Sequence, residues 1–475
     1  GLPVKKMEKF ILSSEFSASI AQIESARDCI CDWTLRLCEG LMNSLADCPP
    51  PKGWLLCAYS YAQALSFPES ADSVPGEYSA PCRLYLRILS ILSRNESDSE
   101  DPAYSAAYPL RFMTDDEQAA LEKPAEYRNF LHSFLGDHVP EMMRLSRELF
   151  GYNTLEHICG VHHIAMMLGH QFKKLGFPID LGRVSGAAAG HDIGKYGCRP
   201  REIKRVPYLH YYYTDLWFKR HGITYIGNIA VNHSTWDLEL ENLPLESLIL
   251  IYSDFRVKNV GGNMTILSLS ESFGVIMNKL DRLDEAKKKR YGRVYAKLKD
   301  FEMYMNHLGM DTDPSENPRA ASRKREPASP SLLQGNDIIN DFKYLAIEHN
   351  INLMYQFRDE YSLDSILQLA RSEKDRDKLR EYVRAFEEYS AYLTQKQKLQ
   401  TISFMYELLI HPEEDIRNQS AKLIGRLIAT YDQEYRKEIP DDAKVLPSPP
   451  ASVELLREYL KLFLYPGHNI IPSQR

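Results

Sequence analysis

Apolar side chains recur at steps of three and four residues along most of this 475-residue chain, which is the spacing of a helix that buries one face. Within residues 1–139, the apolar positions with this spacing include Phe10, Ile11, Phe16, Ile20, Ile23, Trp33, Leu37 and Leu41. Residues 140–310 keep the helical spacing and show no sustained alternation that would indicate a strand. The pattern therefore predicts an all-α chain.

Residues 311–337 break this pattern, because they are polar, rich in proline and nearly free of large apolar side chains. Such a composition is typical of a linker. The basic triplet Arg323-Lys324-Arg325 lies within it and is more typical of a solvated segment than of a nucleic-acid contact.

Two amphipathic segments near the C-terminus, 396–410 and 413–430, predict a pair of antiparallel helices. The segment 411–417, which reads His-Pro-Glu-Glu-Asp-Ile-Arg, resembles the turn of a HEAT repeat. Such units stack into solenoids, and a stable array needs about three of them. Three interpretations stay open: the array continues beyond Arg475, earlier helices supply degenerate units, or this is an ordinary helical hairpin.

These changes in pattern predict four parts. We expect an N-terminal helical region of unknown role at 1–139, a helical domain at 140–310, the linker at 311–337 and a HEAT-like helical domain at 338–475 that could be truncated. The chain begins at Gly1 without an initiator Met or a signal-type apolar block, which favours an excised fragment or an expression remnant.

Composition narrows the classes of function. A net charge of −7 argues against general nucleic-acid binding, which needs a basic surface, although a local basic groove stays open. No apolar run is long enough to cross a bilayer, so no membrane partner is expected. The eight cysteines include no C-x-x-C pair, which favours a reduced, cytoplasmic protein over a disulfide-rich secreted one.

Candidate chemistry centres on the segment 190–195, which reads Gly-His-Asp-Ile-Gly-Lys. A His-Asp pair alone arises by chance roughly once in every chain or two of this length. Together with distant His and Asp residues, however, it can close around a divalent metal. Neutral imidazole and carboxylate ligands suit Fe, Mn, Zn, Co or Ni without selecting one of them. The candidate ligands are His157, His191, Asp192, His210, His233 and Asp254.

Helical spacing indicates which candidate side chains point inward. His157 lies on the apolar face of its predicted helix, whereas His162 and His163 lie off it and are expected at the surface or in a supporting layer. His233 stands at the end of another apolar face. Asp254 lies within an apolar helix, where a buried carboxylate is costly unless it is paired or bound to a metal. A lone histidine on such a face is more often a core or capping residue, so the prediction depends on the whole set.

The residues around the His-Asp pair predict how the nearby helices pack and where a phosphate would bind. The small side chains of 185–190 would allow helices to pack closely, and Gly194 suits a left-handed helix stop. Four basic residues would place positive charge beside the metal, where phosphate oxygens are the natural counterpart. A solvated loop is the alternative for each of them. These residues are Lys195, Arg199, Arg201 and Lys204.

The order H…HD…D, carried by His157, His191-Asp192 and Asp254, resembles the HD superfamily of metal-dependent phosphohydrolases over about residues 140–305. The resemblance implies that His210 and His233 support a second metal. Within the superfamily, segments of 222–254 look most like the diadenosine tetraphosphate hydrolases. Cyclic di-GMP phosphodiesterases differ, since they have a histidine where Asn232 stands and a Gly-Tyr-Pro motif after it.

The resemblance implies that metal-activated water hydrolyses a small phosphorylated substrate such as a nucleotide. Asp192 and Lys195 would be catalytic, while Lys195, Arg199, Arg201 and Lys204 would bind phosphate. One alternative is an HD nucleotide sensor that binds metal without turnover. Another is a HEAT-type scaffold that binds a protein partner through its C-terminal region.

Overall fold

The structure is a computed structural model, and it describes residues 13–18, 38–40, 42–43, 48–98, 108–234, 243–280, 285–314, 335–357, 360–388, 390, 393 and 395–437. The chain forms two compact units. The first takes in Gly1–Leu175, Asp180–His233 and Ile249–Lys324, and the second takes in Gly176–Ile179, Ser234–Leu248 and Arg325–Arg475. Most of the linker predicted at 311–337, and most of the apolar positions named before residue 42, lie outside the described residues.

Helices dominate the described residues, as the apolar spacing predicts. The helices before residue 325 are α1 (Trp54–Ser66), α2 (Ser79–Asp98), α3 (Asp115–Ala119), α4 (Pro124–Gly136), α5 (Val139–Phe150), α6 (Thr154–Lys174), α7 (Leu181–Gly190), α8 (Val206–Arg220), α9 (Tyr225–Val231), α10 (Leu245–Arg256), α11 (Leu269–Lys279) and α12 (Glu285–His307). Those after it are α13 (Gly335–Phe357), α14 (Glu360–Ser372), α15 (Arg376–Glu388), α16 (Gln395–Glu407) and α17 (Glu414–Lys437). Short 3-10 helices lie at Gly76–Tyr78, Ile193–Gly197, Pro200–Arg205 and Leu408–Ile410. None of these helices is long and apolar enough to cross a membrane.

Among the described residues of 140–310, the expectation of no strand is wrong at 257–266. Strands β1 (Val257–Val260) and β2 (Asn263–Ile266) pair antiparallel. Gly261 and Gly262 connect them with φ of 62° and 89°, and glycine reaches this left-handed conformation without steric cost. Each strand has four residues, too few for an alternating pattern to stand out in the sequence.

The small residues of α7 allow the close packing that the sequence predicts. A Cβ atom at Gly186 would lie 2.8 Å from the Ile226 side chain, and one at Gly190 would lie 2.8 Å from the Phe218 ring. The Phe218 ring in turn stacks on Phe130 with 6.0 Å between the centroids. The end of α7, where the His-Asp pair begins, is therefore fixed inside the core of the first unit.

The second unit contains two successive helix pairs, α14–α15 and α16–α17, which share one apolar core. This core includes Leu363, Leu379, Val383, Ile402, Met405, Ile416, Leu423 and Leu427. The hairpin predicted at 396–410 and 413–430 corresponds to α16, its 3-10 extension and α17. Arg417 donates hydrogen bonds to the carbonyl groups of His411 and Pro412 and so closes the turn. That these helices form a HEAT array remains a prediction.

Candidate metal centre

All six predicted ligands meet in one cluster, although they lie on separate parts of the chain. Each stands in or just after a different helix, except for the adjacent pair that follows α7. In order, they are His157 in the first turn of α6, His191 and Asp192 after α7, His210 in α8, His233 after α9 and Asp254 in the last turn of α10. His157 and Asp254 are in direct contact although 97 positions separate them in the sequence.

The Asp192 carboxylate lies between two sets of imidazoles. Its Oδ2 atom is 3.6 Å from Nε2 of His157 and 3.6 Å from Nε2 of His191. Its Oδ1 atom is 3.6 Å from Nε2 of His210 and 3.9 Å from Nε2 of His233. The two oxygens of one carboxylate thus face two different groups of nitrogen atoms.

Asp254 completes the first of these groups. Its Oδ1 atom is 2.8 Å from Nε2 of His157 and 3.6 Å from Nε2 of His191. Two overlapping sets of ligand atoms are therefore compact enough to hold a metal ion. One set is His157, His191 and Asp254, and the other is His191, Asp192 and His233.

Backbone carbonyl groups orient three of the four imidazoles. The Nδ1 atoms of His191, His210 and His233 lie 2.8, 2.8 and 2.6 Å from the carbonyl oxygens of Ala188, Val206 and Ala230. A carbonyl oxygen can only accept, so Nδ1 carries a proton, and in the neutral form of each imidazole the Nε2 lone pair faces the cluster. Histidines that bind metals are commonly held in this way.

A buried imidazole nitrogen at the centre of the cluster is left without a hydrogen bond within the described part of the chain. His191 is fully buried, and its Nε2 atom has no hydrogen-bond partner among the described residues. A buried polar atom without a partner is uncommon and costs free energy. The donor set around it consists of imidazole nitrogen and carboxylate oxygen, which suits borderline divalent ions. The residues present therefore fit a metal ion.

Charges and burial set the protonation state that a metal requires. Burial lowers the pKa of His157, lowers that of His210 to about 4 and lowers that of His233 to about 3. These imidazoles are consequently neutral near pH 7, as ligands must be. Burial also opposes charge on His191 and Asp192. Nevertheless, neighbouring carboxylates raise the pKa of His191, and Lys195 with the surrounding histidines holds the pKa of Asp192 far below its usual range.

We expect the apparent metal affinity to increase with pH. A metal must displace the proton of His191, whose pKa is raised by Asp192 and Asp254, so affinity should fall by about tenfold for each pH unit below that pKa. His210 and His233 are already neutral and should add little between about pH 5 and 8. Calorimetric titrations in two buffers of different ionisation enthalpy would count the released proton. An affinity that does not change over this range would contradict the assignment of His191.

The accessible edge of the cluster differs from the expectation. Asp254 was predicted to be the buried carboxylate, but its side chain is 29% exposed, whereas that of Asp192 is 4% exposed. In the last turn of α10, Ser253, Phe255 and Arg256 are buried, whereas Asp254 is partly exposed. The side chain of Lys195 is 31% exposed and that of His157 is 13% exposed. A ligand from solvent would therefore reach the cluster past Asp254, Lys195 and His157.

Gly194 is not the left-handed helix stop that was predicted. Helix α7 ends at Gly190, and Gly194 lies in the following 3-10 turn without a positive φ. A Cβ atom on Gly194 would lie 1.8 Å from the carbonyl oxygen of His210 and 2.4 Å from the backbone nitrogen of Thr214. Glycine is needed because two backbone segments touch here, and this contact places the turn against α8.

The two other histidines of α6 have different surroundings. His163 is exposed, which agrees with the expectation of a surface position rather than a supporting one. His162 is buried, and its Nε2 atom lies 2.9 Å from the hydroxyl of Ser185. That hydroxyl also contacts the Tyr127 hydroxyl at 2.9 Å. His162 thus ties α6 to α7 and belongs to neither of the two sets of ligand atoms.

Of the four predicted phosphate-binding residues, Lys195 lies at the cluster. Its Nζ atom is 2.6 Å from Oδ2 of Asp192. Arg199 is half-buried at the start of the next 3-10 turn, where its backbone nitrogen donates to Glu202. Arg201 and Lys204 are exposed on that turn. A phosphate-binding role for these three residues remains a prediction.

Lys258 is a cation beside the cluster that the sequence reasoning missed. It lies in β1, four positions after Asp254, and its amine is 5.3 Å from the centroid of the Phe255 ring. Burial lowers the pKa of Lys258, and the nearby charge of Asp254 opposes that shift while the charge of Lys195 adds to it. The spacing of residues on a helix could not place Lys258 near the cluster, because the chain changes from helix to strand at Val257.

The N-terminal region, whose role could not be deduced from its sequence, supports the turn that carries Lys195. Gln63 of α1 donates a 2.8 Å hydrogen bond to the carbonyl oxygen of Tyr196, and Ser70 donates one of 2.5 Å to that of Gly197. Both acceptors are backbone atoms, which leave no recognisable pattern in a sequence. The described part of this region therefore packs directly on the structure around the His-Asp pair.

No protein-family profile, curated protein or solved structure matches the chain in comparisons with each of the three. A functional assignment must therefore come from the chemistry of the cluster itself.

Proposed function

We propose that this protein is an HD-type metal-dependent phosphohydrolase with a two-metal centre. The observation that carries the proposal is the position of Asp192, whose Oδ2 atom lies near Nε2 of His157 and His191 and whose Oδ1 atom lies near Nε2 of His210 and His233. Asp192 would then help to hold two ions. His157, His191 and Asp254 would complete one site, and His210 with His233 would complete the other.

Two bound divalent ions would supply a water molecule of lowered pKa and would polarise a phosphoryl oxygen. The chain contributes the remaining elements. Lys195 holds Asp192 in its ionised form through a 2.6 Å contact. The ionised carboxylate of Asp192 can then orient the attacking water. The carbonyl contacts of the imidazoles keep their lone pairs directed inward. No covalent enzyme intermediate is required.

Lys195 and Lys258 are the residues best placed to hold the substrate. Lys195 lies at the accessible edge of the cluster. The negative charge of Asp254 interacts with the amines of both Lys195 and Lys258. Amines near a phosphoryl group neutralise its oxygens and stabilise the charge that develops on them in the transition state. A small phosphorylated substrate such as a nucleotide fits this arrangement.

The ligand set limits the identity of the metals. Four imidazoles and two carboxylates suit Fe, Mn, Co, Ni or Zn, whereas Mg and Ca prefer oxygen ligands. No cysteine belongs to either candidate set among the described residues, so a soft ion is not favoured. Reconstitution with each of the five metals in turn would rank them by activity.

Hydrolysis of a phosphoester panel tests the proposed function. The panel should contain phosphomonoesters, nucleoside phosphates and diadenosine tetraphosphate, each with metal-loaded full-length protein. We expect turnover of at least one compound, loss of turnover with a chelator and recovery when metal is added back. Bound metal without turnover of any compound would instead favour a nucleotide sensor.

Lys258→Gln is expected to lower kcat/KM for the preferred phosphoester by about 10- to 100-fold, the effect of losing one charge-assisted contact. Metal content should stay unchanged, since Lys258 belongs to neither ligand set. Lys279→Gln is the matched control, because Lys279 is exposed and also acts on Lys258. An equal loss of kcat/KM in both variants would show that the net positive charge of this region matters and that the position of Lys258 does not.

A HEAT-type interaction role for the second unit is the alternative function. It is favoured by exposed apolar side chains on one side of α13, namely Ile339, Phe342 and Leu345. Phe342→Asp would then abolish binding of a protein partner and leave the metal content unchanged. Phosphoester turnover by the full-length chain in the absence of any partner would argue for the enzyme instead.

A further inference from the structure

Two cysteine thiols are in contact in the N-terminal part of the first unit. Cys57 lies in α1 and Cys82 lies in α2, and their Sγ atoms are 3.4 Å apart. Cys82 is fully buried, whereas Cys57 is partly accessible. One thiol can therefore be reached from solvent while its neighbour lies directly behind it.

The two thiols differ in reactivity. The Cys82 thiol donates a hydrogen bond to Cys57, which lowers the pKa of Cys57. The same contact, together with burial, raises the pKa of Cys82. A thiolate is the attacking species in disulfide exchange, so Cys57 is the first to react. Burial raises the pKa of Cys159 and of Cys198 to about 12, which leaves both of these thiols inert near neutral pH.

We propose that Cys57 and Cys82 form a reversible disulfide by exchange with a small disulfide such as oxidised glutathione. The Cys57 thiolate attacks a glutathione sulfur, the glutathione S–S bond breaks and one glutathione thiolate leaves. Cys82, whose sulfur contacts that of Cys57, then loses its proton to solvent and attacks the Cys57 sulfur. The bond between Cys57 and glutathione breaks, and the second glutathione thiolate leaves and takes up a proton. In total, one glutathione disulfide and two protein thiols give one protein disulfide and two glutathione thiols.

The position of the pair gives the cross-link a structural consequence. A disulfide requires its sulfur atoms to be about 2.05 Å apart, so the thiols must approach by little more than 1 Å. The bond would join α1 to α2 across 25 positions of sequence. Helix α1 is also the helix from which Gln63 holds the turn after the His-Asp pair. Oxidation would therefore constrain a helix that is hydrogen-bonded to the turn after the proposed ligands His191 and Asp192.

The test uses full-length protein equilibrated in glutathione buffers of increasing oxidised fraction, then alkylated and mapped as non-reduced peptides by mass spectrometry. We expect a linked peptide pair containing Cys57 and Cys82 while Cys159 and Cys198 are still alkylated. Cys82→Ser should instead retain glutathione on Cys57, because the resolving thiol is missing. Cys198→Ser, the matched control, should form the link as the wild type does.

Other mapping results would overturn the proposal. The exposed Cys48 could compete with Cys82 for a disulfide to Cys57. Both Cys48 and Cys57 interact electrostatically with the Tyr78 hydroxyl, so they lie in the same part of the molecule. A Cys48–Cys57 link, or glutathione that persists on wild-type Cys57, would exclude the assigned pair. The Tm provides a second measure, because a disulfide that closes this segment should raise the Tm by about 5 °C or more. Wild-type protein whose Tm does not change on oxidation would also contradict the proposal.

Discussion

Asp192→Asn is expected to remove bound metal and to lower phosphoester hydrolysis by about a thousandfold or more. The substitution keeps the size of the side chain but removes its charge, and it places an amide nitrogen where an oxygen faces the imidazoles. Asp192 faces both groups of nitrogens at 3.6 to 3.9 Å. Both proposed metal sites should therefore fail together. Elemental analysis and steady-state kinetics on the same preparation would measure the two losses.

The matched control for this change is Asp215→Asn. Asp215 lies on α8, the helix of His210, and pairs with Lys219 at the surface. Exposed ion pairs contribute little to stability, so this variant should keep wild-type metal content and activity. Wild-type metal content in Asp192→Asn would show that the carboxylate is not a ligand.

Gly194→Ala is expected to destabilise the first unit by about 4 kcal/mol or more, in the range of severe core clashes. The added Cβ atom would lie 1.8 Å from the His210 carbonyl oxygen and 2.5 Å from the Thr214 hydroxyl oxygen. Two of the nearest atoms belong to the backbone of α8, so no side-chain rotation can relieve the overlap. The turn must move away from α8, which would separate Asp192 from His210.

Urea unfolding of the metal-free protein would measure this effect without interference from metal binding. Gly274→Ala is the control, because a Cβ atom at Gly274 meets none of the described residues within 4 Å and alanine is favoured over glycine inside a helix by up to about 1 kcal/mol. We expect that control to be neutral or slightly stabilised. Equal stability of the two variants would mean that the turn does not pack on α8 as described.

Helical periodicity was sufficient to predict that the chain is mostly helical. The amphipathic segments at 396–410 and 413–430 correspond to helices, and the stripe of small residues before His191 lies in a tightly packed helix. The β-hairpin at 257–266 was not predicted, because its strands are short and its signal is confined to two adjacent glycines. Local patterns predict local structure well and short strands poorly.

The residues of the candidate site were predicted from the sequence, but their burial and their packing neighbours were predicted less well. The six proposed ligands converge, but spacing alone could not show that Asp192, rather than Asp254, is the more buried carboxylate. Burial depends on how distant helices pack. The role of Gly194 was missed for the same reason, since the atoms that exclude a Cβ there belong to a backbone segment of α8. Lys258 was missed because it follows the end of a helix.

Metal stoichiometry tests the two-metal centre most directly. Native mass spectrometry and elemental analysis should be applied to full-length protein loaded with one metal at a time. The wild type should bind two ions per chain, and His233→Ala should bind one, because His233 lies 3.9 Å from Oδ1 of Asp192 and belongs to only one of the two sets of ligand atoms found among the described residues. Tyr211→Phe is the control, since it keeps a ring against His233, and it should still bind two. A wild type without metal, or a His233→Ala variant with unchanged stoichiometry, would contradict the assignment.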